Sequence, residues 1–165
     1  MKNQQGSQLE KVKDLVESIR IAMMTTLDEA GDLVSRPMAV QQMDDDGTLW
    51  FFTKKSSPKI DQIEQHERHI CLSFANVSDS SYVSITGHAE ELDDHAKVEE
   101  LWSPMTKPWF PEGKDDPELT ILKVTTKMAE YWDSTSSRMV RYFEMARAIV
   151  TGDTYKEGEN EKVFV

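Results

Sequence analysis

The chain has 165 residues, of which 38% are apolar and 30% are charged, and its formal net charge is −11 at pH 7. This length suits one domain with a substantial core, so we predict a single domain over residues 1–165. The acidic charge argues against a nucleic-acid partner, because affinity for DNA or RNA comes chiefly from Lys and Arg that neutralise phosphates. No apolar run approaches the roughly 20 residues that span a bilayer, and the N-terminus lacks the apolar segment of a signal peptide. We therefore expect a cytoplasmic protein with no membrane partner.

The first half of the chain predicts one helix followed by hairpin-linked strands. Apolar residues recur at helical spacing between Leu9 and Ile19, which predicts an amphipathic helix over residues 8–19. From Ile21 the pattern changes to short apolar or alternating runs separated by "DEAGD" and "DDDGT", which are typical hairpin turns. Residues 57–66 predict a second helix, with Ser57 as N-cap and Pro58 at its first position.

The second half predicts further strands and two more helices. The strands "HICLSFAN" and "YVSITGHAEEL" precede a helix that Asp93 or Asp94 caps and that ends near Trp102. A proline-rich loop leads to "LTILKVTTKMAEYWD", which predicts two strand segments bent near Lys127. A last helix is predicted over residues 137–150, and residues 156–165 are expected to form a mobile tail.

These elements predict an α+β fold built on an antiparallel, six- to seven-stranded β-barrel with flanking helices. Strands joined by tight hairpins pair antiparallel, and closure into a barrel leaves no exposed sheet edge. The regular alternation of strand and helix that accompanies a parallel sheet is absent.

No residue has the spacing of a catalytic triad or a metal centre. The single cysteine, Cys71, lies in a strand-like stretch and is predicted to be structural. His66 and His69 stand at i, i+3, and an exposed helix end explains them better than metal ligation. We therefore predict no metal, and no catalytic acid or base can be named.

The stretch "FFTKKSSPKI" is a candidate anion site. A phosphate at a helix beginning with Pro58 would meet free backbone N–H groups, the Ser57 hydroxyl and the ammonium group of Lys59 or Lys54. The "DDDGT" hairpin lays the strand "LVSRPMAVQ" alongside, so Arg36 can bring a guanidinium group near the lysines. The alternative interpretation is a charged hairpin followed by a capped helix, with no ligand.

Backbone and aromatic groups near this stretch suit a flat heterocycle. Pro37 removes a ladder donor, so its stretch is an edge or a place where the backbone turns away from a neighbouring strand, and residues 38–41 can offer N–H and C=O groups to a ring. Trp132 ends a strand beside polar residues and is a ligand candidate. Residues 50–52 favour the core, whereas Trp109 in the proline-rich loop is expected to cover a ligand or a partner.

Four stretches in order, "SRPMAVQ", "FFTKKSSPKI", "YVSITGHAEEL" and "AEYWDSTSSR", resemble the successive motifs of the pyridoxamine 5'-phosphate oxidase-like flavoproteins. That superfamily has the FMN-binding split-barrel fold, and within it the chain is most similar to the general stress proteins. The resemblance covers about residues 8–150. It implies a split barrel that forms a homodimer and holds FMN, or FAD, in clefts between the two subunits.

The resemblance also implies a set of cofactor-binding positions. Arg36 matches a strand arginine that contacts the flavin, Lys59 matches the phosphate-binding lysine, and Trp132 matches a tryptophan near the ring. The full implied set is Arg36, Pro37, Met38, Ala39, Val40, Gln41, Phe52, Thr53, Lys54, Ser57, Lys59 and Trp132.

Two departures separate the chain from the oxidases themselves. Pro58 stands where they usually have a second basic residue, so one phosphate ligand is either missing or replaced by Lys54 or Lys55. Near the C-terminus they have an arginine followed two residues later by histidine, whereas Arg138 is followed by Val140. Vitamin B6 oxidation is therefore not expected.

The function implied by the resemblance is flavin binding in a stress-related protein, with oxidoreductase chemistry on an unidentified small substrate. The alternative is a non-catalytic module that binds flavin or another phosphorylated ligand as a sensor or a store. The sequence identifies neither the substrate nor the electron donor.

Overall fold

A computed structural model describes residues 2–133 and 159–165 of the chain. The helices and strands are α1 (Lys2–Ile19), β1 (Ile21–Leu27), β2 (Leu33–Met43), β3 (Leu49–Lys54), α2 (Pro58–Gln65), β4 (His69–Asn76), β5 (Ser81–Leu92), α3 (His95–Leu101), β6 (Leu119–Asp133) and β7 (Glu159–Phe164). Two short 3₁₀ helices, Pro104–Thr106 and Gly113–Asp115, lie in the proline-rich loop. From β1 to α3 the elements agree with the prediction, including Asp94 as the residue that caps α3.

The first six strands close into an antiparallel barrel, as predicted. Their order across the sheet is β3-β2-β1-β4-β5-β6, and β3 pairs in addition with β6. Every ladder of the sheet is antiparallel. Because the sheet meets itself at β3 and β6, the pairing of these strands removes the open edges that an unclosed sheet would expose.

Strand β6 is continuous over 15 residues, so the prediction of two separate segments is wrong. An irregularity nevertheless occurs at Lys127, as expected. Thr86 of β5 pairs with Met128 and Gly87 pairs with Thr126, so Lys127 between them has no partner in this ladder. A Cβ atom on Gly87 would lie 2.3 Å from the carbonyl oxygen of Thr125. Only glycine therefore fits the close backbone approach at this bulge.

Helix α1 covers the barrel interior with its apolar stripe. It begins at Lys2, well before the predicted start near residue 8, and it fully buries Val12 and Val16 in the main core. Burial of each such side chain stabilises the fold by roughly 1.5–3 kcal/mol. No helix in the described part of the chain is long and apolar enough to cross a membrane.

A second, smaller core lies outside the barrel, between its wall and the proline-rich loop. Phe52 of β3 and Val98 of α3 belong to this cluster, and Phe110 of the loop is only 4% exposed within it. Trp109 by contrast is 65% exposed. Unlike Phe110, it is therefore not buried against the described residues of its own chain.

The last residues are not a mobile tail, and that prediction is wrong for Glu159–Phe164. These residues form β7, which pairs with β6 over Met128–Asp133. Val163 is 1% exposed and belongs to the main core, which anchors a strand whose other residues are exposed. The helix predicted over residues 137–150 lies outside the described residues, as does Arg138.

Candidate functional site

The guanidinium group of Arg36 points from β2 toward the neighbouring strand β1 and helix α2. Its Nη1 donates hydrogen bonds to Thr26 Oγ1 at 2.6 Å and to the carbonyl oxygen of Met24 at 3.3 Å. Its Nη2 donates to Gln62 Oε1 at 2.8 Å. All of these acceptors are neutral, so they hold the guanidinium plane in place without neutralising its charge.

The ammonium group of Lys59 lies in the first turn of α2, among hydroxyl groups. Its Nζ donates to Ser57 Oγ at 2.6 Å and to Thr53 Oγ1 at 2.9 Å. Burial lowers the pKa of Lys59 from its ordinary value, and the positive charge of Arg36 lowers this pKa further. The two cations therefore belong to one electrostatic cluster, which we call the Arg36–Lys59 site.

Neither cation of this site has an acidic partner among the residues that the structure describes. The ion pairs of the described residues involve other basic groups, and burial alone lowers the pKa of Arg36. Two half-buried like charges destabilise the protein until an anion neutralises them, and such arrangements are typical of functional sites. The geometry thus favours an anion site.

Ser57 occupies the N-cap position of α2, as predicted, but its side chain is used differently from that of an ordinary helix cap. Ser57 has the extended backbone of an N-cap, but its side chain makes no capping hydrogen bond to α2. Its hydroxyl instead accepts the hydrogen bond from Lys59. With Pro58 as the first helical residue, as predicted, the backbone N–H groups at the start of α2 receive no capping hydrogen bond from the Ser57 side chain, although the carboxylate of Asp61 lies in the same first turn.

The backbone of β2 is open beside Arg36. Residues 33–39 of β2 pair with β1, whereas the described ladder between β2 and β3 begins only at Val40. A bulge between Val40 and Gln42 leaves Gln41 without a ladder partner on β3, and Gln41 Nε2 donates to the Ala39 carbonyl oxygen at 3.1 Å. Met38 turns into the core, while Pro37 and Ala39 are exposed. The barrel is therefore split at the stretch predicted to follow a ring.

A cleft of about 330 Å³ adjoins the Arg36–Lys59 site beyond Gln62. Its lining includes the carboxylates of Asp28, Glu29 and Asp61. These negative charges disfavour an anion inside the cleft, so a phosphate is expected on the Lys59 side of the site.

Three of the predicted site residues lie apart from this cluster. The side chain of Phe52 packs in the second core, with its ring centroid 6.1 Å from that of Trp102. Lys54 is exposed at the end of β3. Trp132 is 36% exposed opposite Tyr82, on β6, a strand that does not pair with β2.

Residues 50–52 were predicted to lie in the core, and two of the three do. Phe51 is fully buried and Phe52 is 9% exposed, which confirms both as core residues. Trp50 is half-buried, its Nε1 donates to Asp44 at 2.7 Å, and Lys97 Nζ lies 4.6 Å from its ring centroid. Trp50 therefore lines the surface of the second core.

Two residues of the site, Thr26 and Gln62, were missed by the sequence analysis. Thr26 lies two residues from Met24, the partner of Arg36 in the β1–β2 ladder, so the hairpin register places it diagonally opposite the arginine. Gln62 follows Lys59 by three residues on α2 and shares its helix face. Gln62 Oε1 also accepts a hydrogen bond from Thr26 Oγ1 at 2.8 Å.

The cysteine and the histidines make contacts that spacing did not predict. Cys71 is a half-buried free thiol whose Sγ lies 3.8 Å from Ser84 Oγ. His66 Nε2 lies 2.8 Å from the carbonyl oxygen of Asp28, whereas His69 contacts His88. The i, i+3 pair therefore does not form a site of its own.

The chain is similar to a described family over most of its length. A family model described as "Pyridoxamine 5'-phosphate oxidase like" matches residues 7–156. Protein bli-3 of Neurospora crassa is 31% identical over 156 residues, which cover 87% of this chain and 74% of that protein. General stress protein 26 of Bacillus subtilis is 30% identical over 117 residues, which cover 70% of this chain and 81% of that protein.

Solved structures share the fold. A protein of Clostridium acetobutylicum related to general stress protein 26 superposes with a TM-score of 0.69 at 27% identity and covers 79% of this chain and 92% of its own. The general stress FMN/FAD binding protein of Xanthomonas citri gives a TM-score of 0.68 at 34% identity, covering 78% of this chain and 90% of its own.

Proposed function

The chain belongs to the pyridoxamine 5'-phosphate oxidase-like family, and on that premise we propose that it is a flavoprotein whose Arg36–Lys59 site binds the phosphate of FMN. The observation that carries the proposal is the pair of half-buried cations that lack an acidic partner among the described residues. The description of the Xanthomonas citri relative as FMN/FAD binding supports the choice of a flavin.

The closeness of the two cations favours FMN over FAD. The terminal phosphate of FMN is a monoester that concentrates a charge near −2 on one group at neutral pH, whereas the pyrophosphate of FAD spreads its two negative charges over two groups. Arg36 and Lys59 together match the monoester, and the hydroxyls of Ser57 and Thr53 stand beside Lys59 as further donors.

Arg36 also removes the difficulty that Pro58 raises. Lys54 is exposed, and Lys55 Nζ lies 3.5 Å from Asp93 Oδ2, so neither lysine is needed as a replacement ligand. Arg36 supplies the second positive charge, and it does so from β2 with a planar group suited to phosphate.

The open stretch of β2 is the proposed seat of the flavin ring. Residues 37–41 offer backbone donors and acceptors next to the Arg36 guanidinium, where β3 does not pair with β2. When bound, the flavin would supply the electron-transfer chemistry. The chain would bind the phosphate, orient the ring and limit access of water to it.

The proposed chemistry is oxidation or reduction of a small substrate that we do not identify. FMN-loaded protein is expected to oxidise a reduced nicotinamide under air faster than free FMN does at the same concentration. Oxygen consumption measures both rates. Equal rates would contradict an oxidoreductase that uses this donor and favour the non-catalytic flavin-binding module.

Lys59→Met tests the phosphate assignment. The variant should weaken FMN binding by about 1.5–3 kcal/mol, because one charge-assisted hydrogen bond to the phosphate is lost. Riboflavin, which has no phosphate, should lose little affinity. Fluorescence titration of both flavins measures the difference.

The matched control is Lys55→Met, which removes a lysine that is ion-paired with Asp93 and should leave the affinity for both flavins unchanged. An equal loss of FMN and riboflavin affinity in Lys59→Met would show that Lys59 serves the fold alone and would contradict the assignment.

We further propose that two copies of the chain form a homodimer with flavin between them. The outer face of the sheet is apolar where most proteins carry charges: Ile21 is 50% exposed, Met23 is 42% exposed and Tyr82 is 38% exposed. On this face Ile21 stands opposite Ala39, and Met23 stands opposite Pro37. A second copy packed there offers a route for Trp132 to reach a flavin that Arg36 of the first copy holds.

Met23→Glu should convert the dimer to a monomer, because it places a charge in the centre of the proposed interface. Light scattering coupled to gel filtration measures the mass. Val77→Glu, at an apolar position that is 73% exposed in the β4–β5 turn, is the matched control and should stay dimeric. A wild-type chain that is monomeric at micromolar concentration would contradict the homodimer.

A further inference from the structure

A pair of histidines lies outside the flavin site, on the outer face of the sheet. His69 at the start of β4 stands directly opposite His88 of β5 in the antiparallel ladder. Both side chains are exposed, and their ring centroids are 4.5 Å apart with planes inclined by 57°. Their Nε2 atoms approach to 3.2 Å. The two ring nitrogens therefore converge on one point above the sheet.

The separation of the nitrogens matches the bite of a chelated metal ion. Two metal–nitrogen bonds of about 2.05 Å place their nitrogens about 3.3 Å apart at a tetrahedral angle and about 2.9 Å apart at a right angle. The observed 3.2 Å lies between these values. Since the pair is held by paired strands, little rearrangement is needed for both rings to bind one ion.

The charged residues around His69 and His88 do not prevent the pair from binding a metal ion. Glu67 Oε2 lies 3.9 Å from His69 Nδ1, so a negative charge stands beside the pair and attracts a cation. Glu90 is engaged elsewhere, with Arg68 Nη1 at 3.2 Å and Lys123 Nζ at 3.8 Å from its carboxylate. Among the described residues no cluster of three or more metal-ligating side chains forms, so water would fill the remaining coordination positions.

We propose that His69 and His88 chelate a divalent first-row transition-metal ion such as Zn²⁺, Ni²⁺ or Cu²⁺. Imidazole nitrogens select these ions over Mg²⁺ and Ca²⁺, which prefer oxygen ligands. The two-histidine site is distinct from the Arg36–Lys59 site and does not depend on a bound flavin.

Titration of the full chain without an affinity tag tests the proposal. Isothermal calorimetry with NiCl₂ should show one ion bound per chain, and MgCl₂ should show none. His69→Gln and His88→Gln should each weaken Ni²⁺ binding by about 100-fold. With one imidazole removed, the ion no longer binds a second ligand that the fold holds at high effective concentration.

The matched control is His95→Gln, since His95 is also exposed but pairs with Asp115 at 3.2 Å and has no histidine partner. This variant should bind Ni²⁺ like the wild type. Circular dichroism and FMN affinity should be unchanged in all three variants, which separates loss of the metal site from loss of the fold or of the flavin site. Binding that is absent in the wild type, or equally strong in His88→Gln, would overturn the proposal.

Discussion

The pairing of β3 with β6 is the constraint on which the site depends. β3 pairs with β6 over its whole length, from Leu49 to Lys54, but with β2 only from Val40 onward. This closes the barrel at one end and parts β3 from β2 at the other. The same departure places Thr53 and the start of α2 across from Arg36, so the closure that completes the core also forms the Arg36–Lys59 site.

The Arg36–Lys59 site places two positive charges close together in an acidic chain. The chain is strongly acidic, with 30 Asp and Glu against 19 Lys and Arg, yet neither Arg36 nor Lys59 has an acidic partner among the described residues. Neutral oxygens of Thr26, Gln62 and Ser57 fix the positions of the two cations. Such a site would be organised before the proposed ligand binds, and part of the binding free energy would come from relief of the repulsion between the cations.

Local patterns were sufficient for most of the fold and for the charged half of the site. Hairpin turns, strand alternation and the Ser57-Pro58 helix start are encoded within a few residues, and Arg36 and Lys59 are conspicuous in an acidic chain. Thr26 and Gln62 could not be predicted, because their contacts with Arg36 depend on strand register and helix face rather than on residue type.

The failures have the same origin in long-range contacts. Half of the residues that form β7 are charged, and the stretch has the composition of a disordered tail, but one buried side chain, Val163, docks it on β6. A bend near Lys127 was expected to divide β6 into two segments. Instead β6 continues through a bulge at Lys127, because Gly87 on the partner strand has no Cβ atom and allows the close backbone approach there. His69 was assessed against its sequence neighbour His66, but the ladder pairs it with His88.

We propose that the Arg36–Lys59 site recruits FMN through its phosphate. This can be measured by equilibrium titration of the purified chain with FMN, followed by visible absorbance in the presence and absence of inorganic phosphate. We expect one FMN bound per chain and an apparent affinity that falls as inorganic phosphate competes for the two cations. Absence of FMN binding, or FMN binding that does not change with phosphate, would rule out this role of the site.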